Sequence, residues 1–180
     1  MSRLLLRLFG WRIVGTFPSI PKAVIVVAPH TSNWDFIIGL LAKFALGLHV
    51  TFLGKHTLFR GPLGVWMRYL GGMPVDRSQP GDTVARVAAA VQDADEMLVA
   101  IAPEGTRRAA AGWKLGFYRI AHGAGVPVVP VAIDGKRKEI RIGDAVPLTG
   151  EVAADFAALA AYFVGAHGVR PAGAAPVRPL

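Results

Sequence analysis

His30 and Asp35 stand in the stretch APHTSNWDF, with four residues between them, directly after the apolar run AVIVVA at residues 23–28. Two readings of the pair are open. In one, Ser32 and Asp35 form an S-x-x-D box that satisfies the amides at a helix start. In the other, His30 is a general base and Asp35 the carboxylate that orients it. Residues five apart on a continuous helix point about 140° away from each other, so the two meet only if His30 lies on a loop and Asp35 in the first helical turn. A carboxylate beside one imidazole nitrogen fixes the tautomer and stabilises the imidazolium formed when the other nitrogen takes a proton. Such a base has no nucleophile attached, so the nucleophile has to come from a substrate.

Other chemistries are trimmed by what the chain holds. Its serines are Ser2, Ser19, Ser32 and Ser78, and none lies in a G-x-S-x-G elbow. It has no cysteine, which removes disulfides, thiolate zinc sites and a cysteine nucleophile together. The five histidines show no metal-ligand spacing, so no metal is expected. The stretch GKHT lacks a phosphate loop's earlier glycine, where His49 stands, and has His56 after Lys55. A second loop, APEGTR at residues 102–107, also follows an apolar run. There Gly105 lets the backbone approach a ligand and Arg107 suits a phosphate. Glu104 would repel a phosphate and suits an arginine or a substrate hydroxyl. The competing reading of this loop is a turn with a surface ion pair. The stretch GGMPVDR adds Arg77 after a short strand.

The elements that carry these loops alternate. AVIVVA, VTFLG, MPVD, MLVAI and VPVVPVAI read as strands, being short, apolar and β-branched. TSNWDFIIGLLAKFALG, PLGVWMRYLG, DTVARVAAAVQDADE, KLGFYRIAHGAG and TGEVAADFAALAAYFVGAH read as helices. Asp82 or Thr83 would cap the third of them, with Val84, Val87, Ala88 and Val91 as its apolar face. Strands alternating with helices predict an α/β fold, a single domain with a mostly parallel central sheet flanked by helices. The open ends of such strands are where ligands bind. Two prolines in VPVVPV predict an edge strand or an irregular start, because proline cannot donate to a ladder. We expect the domain to occupy residues 1–164 and residues 165–180 to form a mobile tail.

At 180 residues the chain can bury a sizeable core. It is 53% hydrophobic and only 18% charged, yet its net charge is +8. A basic surface suits nucleic acid, an anionic membrane or a phosphorylated substrate. The apolar composition favours membrane or lipid, and the basic residues are too scattered for a nucleic-acid partner. The longest apolar region, FIIGLLAKFALGLHVTFL, is interrupted by Lys43 and His49, short of the roughly 20 uninterrupted residues of a span. Within residues 1–17, Arg3 and Arg7 share a helix face beside Leu4, Leu5, Leu8 and Phe9. Such a basic amphipathic helix lies in a membrane interface or docks on the protein's own core.

Taken in order, PHTSNWD, GGMPVDR, APEGTR and VPVVPV resemble the four sequence blocks of the glycerolipid acyltransferase family, whose best-known members acylate lysophosphatidate. The resemblance runs from about residue 22 to residue 133, and its specific parts are the H-x-x-x-x-D and P-E-G-T-R blocks. It implies that His30 takes a proton from an acceptor hydroxyl, which attacks an acyl thioester with no acyl-enzyme, and that Asp35 orients His30. It implies an acceptor-binding set of Arg77, Glu104, Gly105, Thr106 and Arg107, and a fourth block in which Pro130 shapes the acyl-chain site. Backbone amides after His30 are candidates for holding the oxyanion, with Lys55 a weaker oxyanion or donor contact. The implied donor is acyl-CoA or acyl carrier protein, the implied acceptor a lysophospholipid, and no cofactor is implied. The implied location is peripheral or monotopic on the cytoplasmic face of a membrane, otherwise cytoplasmic. Two positions depart from the family: Arg108 stands where serine is frequent, and Thr57 near a usual glutamate. A catalytically silent lipid-binding module and an acyl-thioester hydrolase are the alternative readings of the same residues.

Overall fold

A computed structural model describes residues 1–75 and 80–180 of the chain. In chain order the first elements are α1 (Ser2–Leu8), β1 (Arg12–Val14), β2 (Lys22–Ala28), α2 (Asn33–Leu46), β3 (Val50–Lys55), α3 (Gly61–Tyr69) and β4 (Gly72–Val75). They are followed by α4 (Pro80–Asp93), β5 (Met97–Ile101), α5 (Gly116–Ala124), β6 (Val128–Asp134), β7 (Glu139–Ile142) and α6 (Val152–Phe163). The seven strands form one sheet in the order β1-β7-β6-β2-β5-β3-β4. Among the described residues only β6 and β7 pair antiparallel as neighbouring strands; the other neighbour pairs are parallel. The expected α/β architecture is therefore present.

The central strand β2 explains why its sequence is an unbroken apolar run. Pleating sends alternate side chains to opposite faces, and both faces are covered. Val24, Val26 and Ala28 join a core with Val87 and Val91 of α4, Phe117 and Ile120 of α5, and Phe156 and Leu159 of α6. Trp113 lies in the same core, edge-on to Phe117, Phe156 and Phe163. On the other face Ala23 and Ile25 pack with Leu98, Val129 and Ile142. There Leu6 of α1 and Trp11 pack with Ile38 and Ala42 of α2 and with Ile133 and Ile140. Burying each such aliphatic side chain contributes roughly 1.5–3 kcal/mol before the entropy of ordering is counted.

Three expectations need correction. The proline-bearing strand β6 is not at an edge but lies between β7 and β2. Pro130 is tolerated because its neighbour stops: β7 ends at Ile142, opposite Val131, and the Gly143 amide donates to the Pro130 carbonyl at 2.9 Å. Residues 165–180 do not hang free. Gly135 N–H bonds the His167 carbonyl, Trp113 N–H bonds the Arg178 carbonyl, and Leu180 N–H returns to Trp113. Helix α4 begins at Pro80, two residues before the expected cap at Asp82.

Helix α1 answers both of its readings in part. Leu6 is buried and the Arg3 guanidinium donates to the Ala45 carbonyl of α2 at 3.0 Å. Leu4, Leu8 and Phe9 nevertheless stay exposed, as do Trp34 and Phe44 of α2 and Val65, Trp66 and Tyr69 of α3. Among the described residues no helix is long and apolar enough to cross a membrane.

Candidate active site

Strand β2 ends at Ala28, a cis Ala28–Pro29 peptide follows, and His30 sits on the loop before α2. Asp35 lies in the first turn of α2. The geometry required for the pair to meet is thus realised: His30 Nδ1 is 3.6 Å from Asp35 Oδ2. The same carboxylate oxygen accepts the amides of Thr31 at 2.6 Å and Ser32 at 2.7 Å, and Ser32 caps α2 in a reciprocal box with Asp35. Helix cap and histidine partner are therefore one residue, not rival readings. Asp35 is buried, which raises its pKa; the amides of Ser32 and Thr31, His30 and Arg107 act in the opposite direction. The His30 side chain keeps 23% of its surface exposed.

The second loop reaches the same place from β5. Glu104 is 1% exposed, and its Oε1 accepts the His30 backbone amide at 3.1 Å. Burial pushes its carboxyl up to about 7; the His30 amide opposes this and the neighbouring Asp35 adds to it. Glu104 lines neither of the cavities described below. What the structure gives it is a hold on the histidine loop. Gly105 has φ +67°, a conformation glycine adopts without strain. Thr106 and Arg107 are exposed beyond it.

His30 stands where two cavities meet. One, of about 200 Å³, runs between the inner face of α2 and the sheet, lined by His30, Asp35, Gly39, Lys43 and apolar side chains of β2, β3, β5, β6 and β7. The Lys43 ammonium is held there by the carbonyls of Val50 and Leu70 at 3.0 and 2.8 Å, and burial lowers its pKa. A Cβ added at Gly39 would meet nothing within 4 Å, so this mid-helix glycine leaves the space open. The other cavity, about 1100 Å³, lies beyond His30 and is lined by Thr31, Trp34, Gly105, Thr106, Arg107, Arg108, Lys114 and Arg170 among others.

The sequence-predicted residues divide accordingly. His30, Asp35, Gly105, Thr106 and Arg107 are brought together. Lys55 is exposed at the end of β3 and lines neither cavity. Arg77 lies outside the described residues. The amides of Thr31, Ser32 and Trp34 are engaged by Asp35 and Ser32 side chains, which withdraws them as oxyanion donors. Sequence reasoning missed Lys114 and Arg170 as cavity residues. No local signal marks either, because only the tertiary fold carries them to the site.

The mostly parallel sheet, covered on both faces, thus carries a histidine–aspartate pair and an arginine-bearing loop side by side. The acyltransferase family model matches residues 14–134, and the chain belongs to that family. It is 25% identical over 145 residues to the 1-acyl-sn-glycerol-3-phosphate acyltransferase of Haemophilus influenzae, a match covering 75% of this chain and 59% of that protein. The chain thus spans about three-fifths of the length of that curated relative. Its fold is similar to the crystal structure of the 1-acyl-sn-glycerophosphate (LPA) acyltransferase PlsC from Thermotoga maritima. The TM-score is 0.58 at 20% identity, over 86% of this chain and 70% of that one.

Proposed function

We propose that this protein moves a fatty acyl group from an acyl thioester to a hydroxyl of a 1-acylglycerol-3-phosphate-like acceptor. The observation that carries the reading is the position of His30, with Asp35 behind it, on the walls of both an apolar and a cationic cavity. The apolar cavity suits the acyl chain and the cationic one the phosphate-bearing parts of the substrates. His30 Nδ1 faces Asp35, and Nε2 is the nitrogen that takes the acceptor's hydroxyl proton as the oxygen attacks the thioester carbonyl. The tetrahedral intermediate then collapses, the C–S bond breaks, and the imidazolium returns its proton to the departing thiolate. Glu104 keeps the His30 backbone in register for this exchange. The donor is acyl-CoA or acyl carrier protein.

The exposed apolar side chains of α1, α2 and α3, in a chain of net charge +8, support a peripheral seat on an anionic membrane, on its cytoplasmic face. Cosedimentation with anionic and neutral vesicles tests this; failure to bind either removes the membrane part of the reading.

The deciding experiment measures thioester consumption by purified protein, with and without lysophosphatidate, beside His30→Ala. Acceptor-dependent transfer that falls at least about 10²-fold in the variant is expected. Activity that survives the substitution overturns the mechanism. Thioester loss without acceptor would instead make the protein a hydrolase.

A further inference from the structure

The chain after α6 is a strap laid across both loops of the site. Gly168 passes so close to Thr31 that a Cβ there would lie 2.5 Å from the threonine side chain. The Arg170 amide donates to Thr31 Oγ1 at 3.0 Å. A Cβ at Gly173 would lie 2.8 Å from the Arg107 carbonyl. Further on, Arg178 Nε donates to the Ala111 carbonyl at 2.6 Å. The strap therefore touches the residue after His30 and the arginine loop within a few positions, and two of its closest approaches are at glycines, Gly168 and Gly173.

This path brings Arg170 to the wall of the larger cavity, beside Arg107, Arg108 and Lys114. Among the described residues that line it there is no carboxylate, since Glu104 is turned inward. Among them, too, none of these four cations is in a close ion pair, although the Arg107 charge also acts on the buried Asp35. Four like charges converging on one opening repel one another, an arrangement that an anionic ligand relieves. Arg107 belongs to the family's own arginine block, whereas Arg170 lies beyond the matched residues 14–134.

We propose that Arg170, delivered by the C-terminal strap, binds a phosphate ester carried by one of the substrates. The ligand chemistry is a phosphate mono- or diester. Its source is the donor's phosphopantetheine or nucleotide, or the acceptor's headgroup. This rests on the acyl-transfer reading for the names of the substrates, but its test does not need turnover. The strap is held at this point by the backbone of Arg170, so replacing the side chain leaves the Thr31 contact in place.

Binding of coenzyme A, pantetheine, lysophosphatidate and monoacylglycerol would be titrated on wild type, Arg170→Gln and Arg170→Lys. We expect Arg170→Gln to weaken at least one phosphate-bearing ligand about tenfold, the scale of one charge-assisted contact. Its phosphate-free counterpart should be unchanged, and lysine should restore part of the loss. Loss with coenzyme A alone assigns the donor phosphate; loss with lysophosphatidate alone assigns the acceptor's. Equal affinities throughout, or equal loss for phosphate-free ligands, would overturn the proposal. Absence of acyl transfer in the wild type would count against the proposed activity and not against this site.

Discussion

Replacing Glu104 by glutamine removes one ionisable group while keeping an oxygen to accept the His30 amide. In the folded protein this carboxyl is raised from 4.5 to about 7. As pH rises above 4.5 the unfolded chain releases its proton while the folded chain still holds it. The stabilising contribution is full below pH 4.5, is lost between 4.5 and about 7, and stays lost above. At about 1.4 kcal/mol per pKa unit the loss amounts to about 3 kcal/mol. Asp35 is raised as well and acts with the same sign; it is present in both proteins, so their difference reports Glu104 together with its coupling to Asp35. Glu104 Oε2 is buried without a hydrogen-bond partner, so the new amide group carries its own penalty, which does not vary with pH. Urea unfolding of both proteins at several values from pH 5 to pH 8 isolates the effect. The variant should gain on the wild type by about 2–3 kcal/mol across that range. A stability difference that stays flat, or that moves the other way, would show that Glu104 is ionised in the fold.

Four further outcomes follow from the same geometry. Asp35→Asn keeps an oxygen for the Thr31 and Ser32 amides, so turnover should fall at least about 10²-fold while stability falls less than in Asp35→Ala, which loses a cap worth about 0.5–2 kcal/mol; steady-state rates beside thermal melts check both. Gly39→Ala should stabilise the protein by about 0.5–1 kcal/mol, since a mid-helix glycine is costly and its Cβ meets nothing. Gly39→Phe should shift the donor profile towards shorter acyl chains, read by competing thioesters of different length. Trp113→Ala, removing a side chain 1% exposed and edge-on to three phenylalanines, should cost about 3–5 kcal/mol in urea unfolding.

Much of this architecture is written in local pattern. The runs at β2, β3, β5 and β6 are strands because both sheet faces are covered, and the glycines after α2 and α5 adopt the left-handed conformation that ends a helix. What escaped local reading depends on distant partners. Strands β1 and β7 are three and four residues long and carry charge; β7 is a strand because it pairs with β6 and β1, and β1 because it pairs with β7, with Arg12 bonded to Glu139. Pro130 looked like an edge residue because its missing amide is visible in sequence, whereas the early end of β7 is not. The strap at 165–180 looked mobile because small residues and prolines give no periodicity, yet its glycines are what allow its close approach to Thr31 and Arg107. At the site, residue types revealed the histidine, its aspartate and the arginine loop. They did not reveal that Glu104 faces inward, since burial is a property of the assembled loops.

The pairing of β1 with β7 sets the order in which the molecule can be completed. Strand β1 is an edge strand whose one neighbour is β7, so residues 12–14 have no ladder until residues 139–142 exist. Residues 12–14 are therefore made well before the strand that holds them. Contacts so far apart in sequence are slow to form. Throughout that interval the basic, leucine-rich helix α1 lacks the Ile133 and Ile140 side chains that Leu6 packs against in the finished sheet.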